Sequence, residues 1–152
     1  MNILIIALLV ALDQAVKLWA LRFLASVGSI PVIRDIFHLT YVENRGAAFG
    51  VLQNKRWFFI VLTVVIVSGV MYFMYKNKGM NTYLKLSLDL VVAGAIGNLI
   101  DRVRLGFVVD FLDFRIWPVF NIADICVVVG GMALAYILLF KSEMLEIQEG
   151  KR

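Results

Sequence analysis

The sequence predicts an all-α membrane protein, with four transmembrane helices and a small β-sheet on one surface. Three observations carry that prediction. Hydrophobic residues make up 62% of the 152 residues, well above the roughly 45–50% of an ordinary soluble domain. Four stretches reach the about 20 mostly apolar residues that cross about 30 Å of hydrocarbon. Between the first two, Ser29 to Val42 is rich in β-branched and aromatic residues broken at Arg34 and Asp35, as two short strands would be. The whole reads as one integral membrane domain over 1–152.

The first span, about 3–21, has no Lys or Arg before Ile3, and Asp13, Gln14 and Lys17 interrupt it. It is therefore read as a retained helix and not a cleaved leader. The second, about 57–75, is uncharged and opens on Trp57 and closes on Tyr75, as interfacial aromatic belts prefer, and reads as scaffold. The third, about 84–100, and the fourth, about 121–140, carry polar residues within or at their edges, which marks helices with a task. The connecting loops of interest, about 22–56 and 101–120, then share one side of the membrane. Gly106 to Phe114, rich in Val and Phe, either joins the surface sheet or forms a hairpin of its own.

The net charge of +4 comes from basic residues between and after the apolar runs, where they anchor a membrane protein, so nucleic acid is not the expected partner. Their split between the two sides is too even to orient the chain. A single cysteine, Cys126, excludes an internal disulfide and a multi-cysteine metal site, and the lone histidine, His38, leaves little for metal ligation. A nucleophilic Cys126–His38 pair is disfavoured by their separation. No His-Glu-x-x-His, phosphate-cradling glycine loop or Gly-x-Ser-x-Gly elbow is present.

Carboxylates are the remaining chemistry. Asp110 and Asp124 bracket a short loop and the mouth of the fourth span, and an acid there needs a partner or a task. Asn121 and Asp124 are three apart and face one neighbour. Asn121 reads as a helix cap, whereas Asp124 is expected to lie too far in for capping. On the third span, Gly94, Gly97, Asn98 and Asp101 fall near one stripe. The glycines admit a second helix closely, while Asn98, Asp101 and Arg102 supply hydrogen bonds that a packing seam does not need. Asp13 and Lys17 form an (i, i+4) pair. Either Lys17 snorkels outward while neutralising Asp13, or the pair positions substrate. Asp89 has no partner visible in sequence. Residues 41–50, including Asn44, Arg45 and Gly46, read as a surface turn or as a substrate cradle facing the aspartates.

If Asp110 and Asp124 come close, burial and like-charge repulsion raise one pKa, so one is protonated and one ionised near neutral pH. Such a pair hydrolyses an amide without a covalent intermediate. Over essentially its whole length the chain resembles the lipoprotein signal peptidase (type II signal peptidase) family of bacteria. The resemblance rests on Asp13 to Lys17, Asn44-Arg45-Gly46-Ala47-Ala48-Phe49-Gly50, Gly94 to Arg102, Val108-Val109-Asp110-Phe111 and Phe120-Asn121-Ile122-Ala123-Asp124. It implies an aspartyl endopeptidase of the bacterial cytoplasmic (inner) membrane, cutting the signal peptide from a prolipoprotein before a diacylglyceryl-modified cysteine. It further implies an extracytoplasmic active site with Asp110 and Asp124 as catalytic dyad. Asp13, Lys17, Asn44, Gly46, Asn98, Asp101, Arg102 and Asn121 are then the binding or supporting shell, and Asp113 is a loop carboxylate outside the motif. The family's surface sheet fits Ser29 to Val42, and its short surface helix fits the Gly-Ala-Ala-Phe region. No cofactor or metal is expected. The expected partners are lipid-modified prolipoprotein signal peptides and membrane lipids, the chain acting as a monomer.

Two rival readings differ in their tests. A four-helix transporter or channel would use Asp13, Asp89 and Asp124 as an ion path and would need no polar cluster around Asp110. A noncatalytic lipid-binding scaffold would keep full biological activity after Asp124→Asn.

Overall fold

The computed structural model describes residues 1–46 and 52–141. Helix α1, Ile3–Trp19, is capped by the Asn2 side chain, which accepts from the Ile5 N–H. It passes into a π-helical turn, Ala20–Leu24, and the short α2, Ala25–Val27, so the first span runs Ile3–Val27 and not to about residue 21. The reason is packing. Ala20 and Leu24 are fully buried against Val109 and Phe111 of the sheet, and the wider turn keeps the chain helical while turning that edge inward.

Gly28, at φ +81°, ends the helix and admits strands β1, Ser29–Ile33, and β2, Phe37–Asn44. The expected break falls at the turn around Asp35, which takes a positive φ. Glu43 and Asn44, expected in a loop, continue β2. The stretch after Gly106 supplies β3, Val108–Asp113, completing an antiparallel sheet in the order β1-β2-β3. This answers the choice left by sequence between a third strand and a separate hairpin. Asp113 is consequently the last residue of a strand, not a loop carboxylate. It accepts from Thr40 and Arg115. The short surface helix expected around Gly-Ala-Ala-Phe lies outside the described residues.

Helices α3, Arg56–Lys76, α4, Thr82–Arg104, and α5, Ile122–Phe140, complete the four helices that, among the described residues, are long and apolar enough to cross a membrane. Helix α4 is the centre, packing on α1, α3 and most extensively α5. The α4–α5 approach depends on Gly94 and Gly97. A Cβ on Gly94 would run into the Ala123 carbonyl oxygen, and one on Gly97 would come within 3.1 Å of the Ala123 Cβ. Helix α3 has one buried residue, Met74, and exposes most of its length, as a lipid-facing scaffold does. The third span extends past residue 100, so Asp101 and Arg102 sit in the last helical turn and not in a loop. Asp89 has a partner after all: the Asn2 backbone N–H donates to both its oxygens, at 3.2 and 3.0 Å. It ties the start of α1 to α4.

Candidate active site

The site forms where the sheet meets the ends of α1, α4 and α5. Strand β2 pairs with β3 so that Val42 faces Asp110, and the Asn44 Nδ2 donates to Asp110 Oδ2 at 3.0 Å. After β3 the chain loops out and returns: the Phe111 and Leu112 N–H groups donate to the Phe120 carbonyl at 3.0 and 2.8 Å. That return brings the next residue, Asn121, against Asp110. Its Nδ2 donates to Asp110 Oδ1 at 2.6 Å.

Asn121 is also the N-cap of α5. Its Oδ1 accepts from the Asp124 N–H at 2.9 Å, and Asp124 Oδ2 accepts in return from the Asn121 N–H at 3.2 Å, a reciprocal capping box. The expectation that Asp124 lies beyond capping is therefore wrong, because the box reaches the third helical residue. Capping uses only one carboxylate oxygen. The other, Oδ1, accepts from Asn98 Nδ2 at 2.7 Å. Asn98 Oδ1 in turn accepts from Asn121 Nδ2 at 3.2 Å. One residue, Asn121, thus holds both aspartates, by its side chain and by its backbone.

Behind this layer lies Lys17, 1% exposed. It points into the bundle, and the outward snorkelling expected as one possibility does not occur. Its Nζ is 3.0 Å from Asp13 Oδ2, 2.9 Å from Asp101 Oδ2 and 2.9 Å from Asn98 Oδ1. An ammonium has three protons to give, so all are engaged and none is left for a substrate. Gln14, in sequence only an interruption of the apolar run, donates to Asp13, Asp101 and the Gly97 carbonyl. Its position beside the Asp13–Lys17 pair was the available signal. Arg102 donates to the Gly46 carbonyl at 3.3 Å and lies over the Phe59 ring at 4.8 Å. Gly46 donates to Asn44 Oδ1 at 3.0 Å, so the two anchor the end of β2. Arg45 pairs with Glu43 at 2.7 Å. Residues 47–50 of the expected cradle lie outside the described residues.

Electrostatics separate Asp110 from an ordinary surface acid. Burial first, and the Asp124 charge second, push its pKa up to about 7, against hydrogen bonds from Asn44 and Asn121 and the Lys17 charge. A carboxyl that is half protonated near neutrality serves as acid or base with equal ease. Both aspartates open on a cavity of about 960 Å³. Asn44, Arg102, Asp110 and Asp124 form its polar end, while Trp117, Phe120, Val128 and Val129 belong to its apolar wall. Such a groove suits a ligand with a polar linkage and apolar chains.

Residues 5–140 match the family model described as signal peptidase (SPase) II. The chain is 55% identical to a lipoprotein signal peptidase of Caldanaerobacter subterraneus over 93% of its own length and 97% of the relative's. It is 54% identical to one from Clostridioides difficile, with the same coverage. Two solved structures, each described as a bacterial membrane enzyme determined by the in meso method, superpose with TM-scores of 0.83 and 0.82 at 35% and 36% identity. They align with 99% and 91% of this chain and with 93% and 92% of their own.

Proposed function

The chain belongs to the signal peptidase II family, and from that premise we propose that Asp110 and Asp124 are the catalytic pair with which it cleaves its substrate. As an aspartic endopeptidase of that family it removes the signal peptide from prolipoproteins. The observation that carries the assignment is the double hold of Asn121, whose Nδ2 reaches Asp110 and whose backbone N–H reaches Asp124 at the polar end of an apolar groove.

In the proposed reaction the ionised carboxylate takes a proton from a water as that water attacks the scissile carbonyl carbon. The protonated carboxyl donates a hydrogen bond to the carbonyl oxygen and balances its developing charge. The tetrahedral intermediate then collapses, the C–N bond breaks, and the proton held by the dyad passes to the leaving amine. The two carboxyls titrate as a unit, so acid and base belong to the pair. The groove's apolar wall fits acyl chains beside the scissile bond, consistent with a cut before a diacylglyceryl-modified cysteine. We place the sheet end on the extracytoplasmic face of the bacterial cytoplasmic membrane, where translocated lipoprotein precursors present that bond.

Cleavage of a lipidated prolipoprotein peptide by the purified protein tests the assignment. Wild type cleaves it, and Asp110→Asn and Asp124→Asn bind it without cutting. Robust cutting by either variant rejects the pair.

A further inference from the structure

The backbone immediately before each of the two aspartates is pinned by a different buried carboxylate. Val109 donates its N–H to Asp101 Oδ2 at 3.1 Å, and Ala123 donates its N–H to Asp13 Oδ1 at 2.9 Å. Both bonds are buried. Both carboxylates close on one ammonium, Lys17, at 2.9 and 3.0 Å. The third Lys17 contact fixes the Asn98 amide: a cation only donates, so Asn98 must turn its Oδ1 to Lys17 and its Nδ2 to Asp124. Three arms therefore run from one nitrogen to the two aspartates, through Asp101 and Val109 to Asp110, through Asp13 and Ala123 to Asp124, and through Asn98 to the Asp124 side chain. Gly97 makes room for the hub, since a Cβ there would sit 2.7 Å from Asp13 Oδ2.

We infer that Lys17 is a positioning residue for hydrolysis, a buried cation that sets the spacing of Asp110 and Asp124 and balances their charge without touching substrate. The inference rests on the dyad reading. Helix α1 contributes neither aspartate, yet through Lys17 it adds a second tie between β3 and α5, beyond the direct bond from Asn121 to Asp110. The charge role follows from the neighbours. Asp13 on α1 and Asp101 on α4 contact Lys17, Arg102 on α4 adds its charge beside Asp101, Asp110 and Asp124, and the positive charge of Lys17 favours ionisation of the pair.

The test is Lys17→Met, which keeps the length of the stem and removes the charge, assayed with the lipidated peptide over a range of pH. The expected result is a fall in kcat of about 100-fold or more with KM within about threefold, the pattern of an interaction expressed in the transition state. The bell-shaped pH profile of kcat moves to higher pH by about one unit, because the carboxylates lose a cation that favoured their charged form. A kcat within about threefold of wild type overturns the inference, and so does a loss spread over kcat and KM with the bell unmoved, which a merely structural role would give. Asp110→Asn, run alongside, separates the two ideas: if it still cleaves, the dyad reading fails first. Should Lys17→Met not fold, Lys17→Arg decides. It keeps the charge, so the bell stays in place, but a planar guanidinium cannot meet three acceptors gathered around one nitrogen. A kcat loss of about tenfold or more is expected, and undiminished kcat overturns the inference.

Discussion

Two pairs of carboxylates lie at the sheet end of the bundle and differ in what stands between them. Asp13 and Asp101 share the ammonium of Lys17. Asp110 and Asp124 share the neutral Asn121, take their other hydrogen bonds from the neutral amides of Asn44 and Asn98 respectively, and open on the groove. The four are alike in residue type and in being withdrawn from solvent, so burial alone does not make a carboxylate reactive. A buried carboxylate closed on a cation is a structural tie. One held by neutral donors beside a second acid keeps a proton in play, and burial with the Asp124 charge pushes Asp110 up to about 7.

The comparison breaks first at the dyad. Asp110→Asn or Asp124→Asn preserves shape and hydrogen-bond capacity but removes the exchangeable proton, so kcat falls by about 10,000-fold while binding of the lipidated peptide persists. Single-turnover cleavage with a separate binding measurement checks it. If either variant keeps a tenth of the rate, the distinction between the two pairs is not a chemical one.

The bridge between the pairs comes next. Asn121→Ser keeps a side chain able to cap α5 but loses the Nδ2 arms to Asp110 and Asn98. Cleavage should drop by about 100-fold, the scale seen when a positioning contact is lost, with thermal stability almost unchanged. Asn121→Ala also loses the cap and should cost about 1 kcal/mol of stability in addition. Equal activity in the serine variant and wild type would leave Asn121 as a cap and nothing more. The same arms predict the pH dependence. Cleavage needs one carboxyl protonated and one ionised, so the profile is a bell with one limb near pH 7, where burial and mutual repulsion bring the pair to titrate. A flat profile from pH 4 to 9 contradicts the shared proton, those limits being about three and two units from that midpoint.

A third pressure point is the seam on which both pairs depend. Gly94→Ala drives a methyl into the Ala123 carbonyl and against Val127, and overpacking of that kind costs about 1–3 kcal/mol. Because Ala123 precedes Asp124, activity should fall along with the melting temperature in detergent. A variant as stable as wild type would show that α4 and α5 stand further apart.

Much of this was legible in the sequence, and the limits have physical causes. Four spans follow from length and hydropathy, because the bilayer is a solvent of fixed thickness. The glycine stripe of α4 is visible since a helix has one period. The continuation of the first span through Ala20 and Leu24 was not, because those residues become helical interior only once β3 packs on them. Asp124 looked too deep for capping, yet a cap and its third residue form one reciprocal unit. Asp89 found its partner in a backbone N–H, and so did Asp13 and Asp101. Every residue except proline offers that donor, so no side-chain pattern announces it.

Asp113 sharpens the comparison at its smallest scale. It is 5% exposed, lies three residues from Asp110 on the same strand, and belongs to neither pair. Burial raises its pKa, but donors from the Arg115 backbone, Thr40 and the Arg115 side chain outweigh that and hold it below the usual carboxylate range. It is thus ionised at working pH and tied to the outer sheet. Asp113→Asn should lower stability by about 1 kcal/mol, the scale of one hydrogen bond and a half-exposed ion pair, and leave kcat and the pH bell where they were. Any displacement of the bell would mean that charge on the outer sheet reaches the dyad, and that its proton answers to the sheet as well as to the neutral amides that hold the pair.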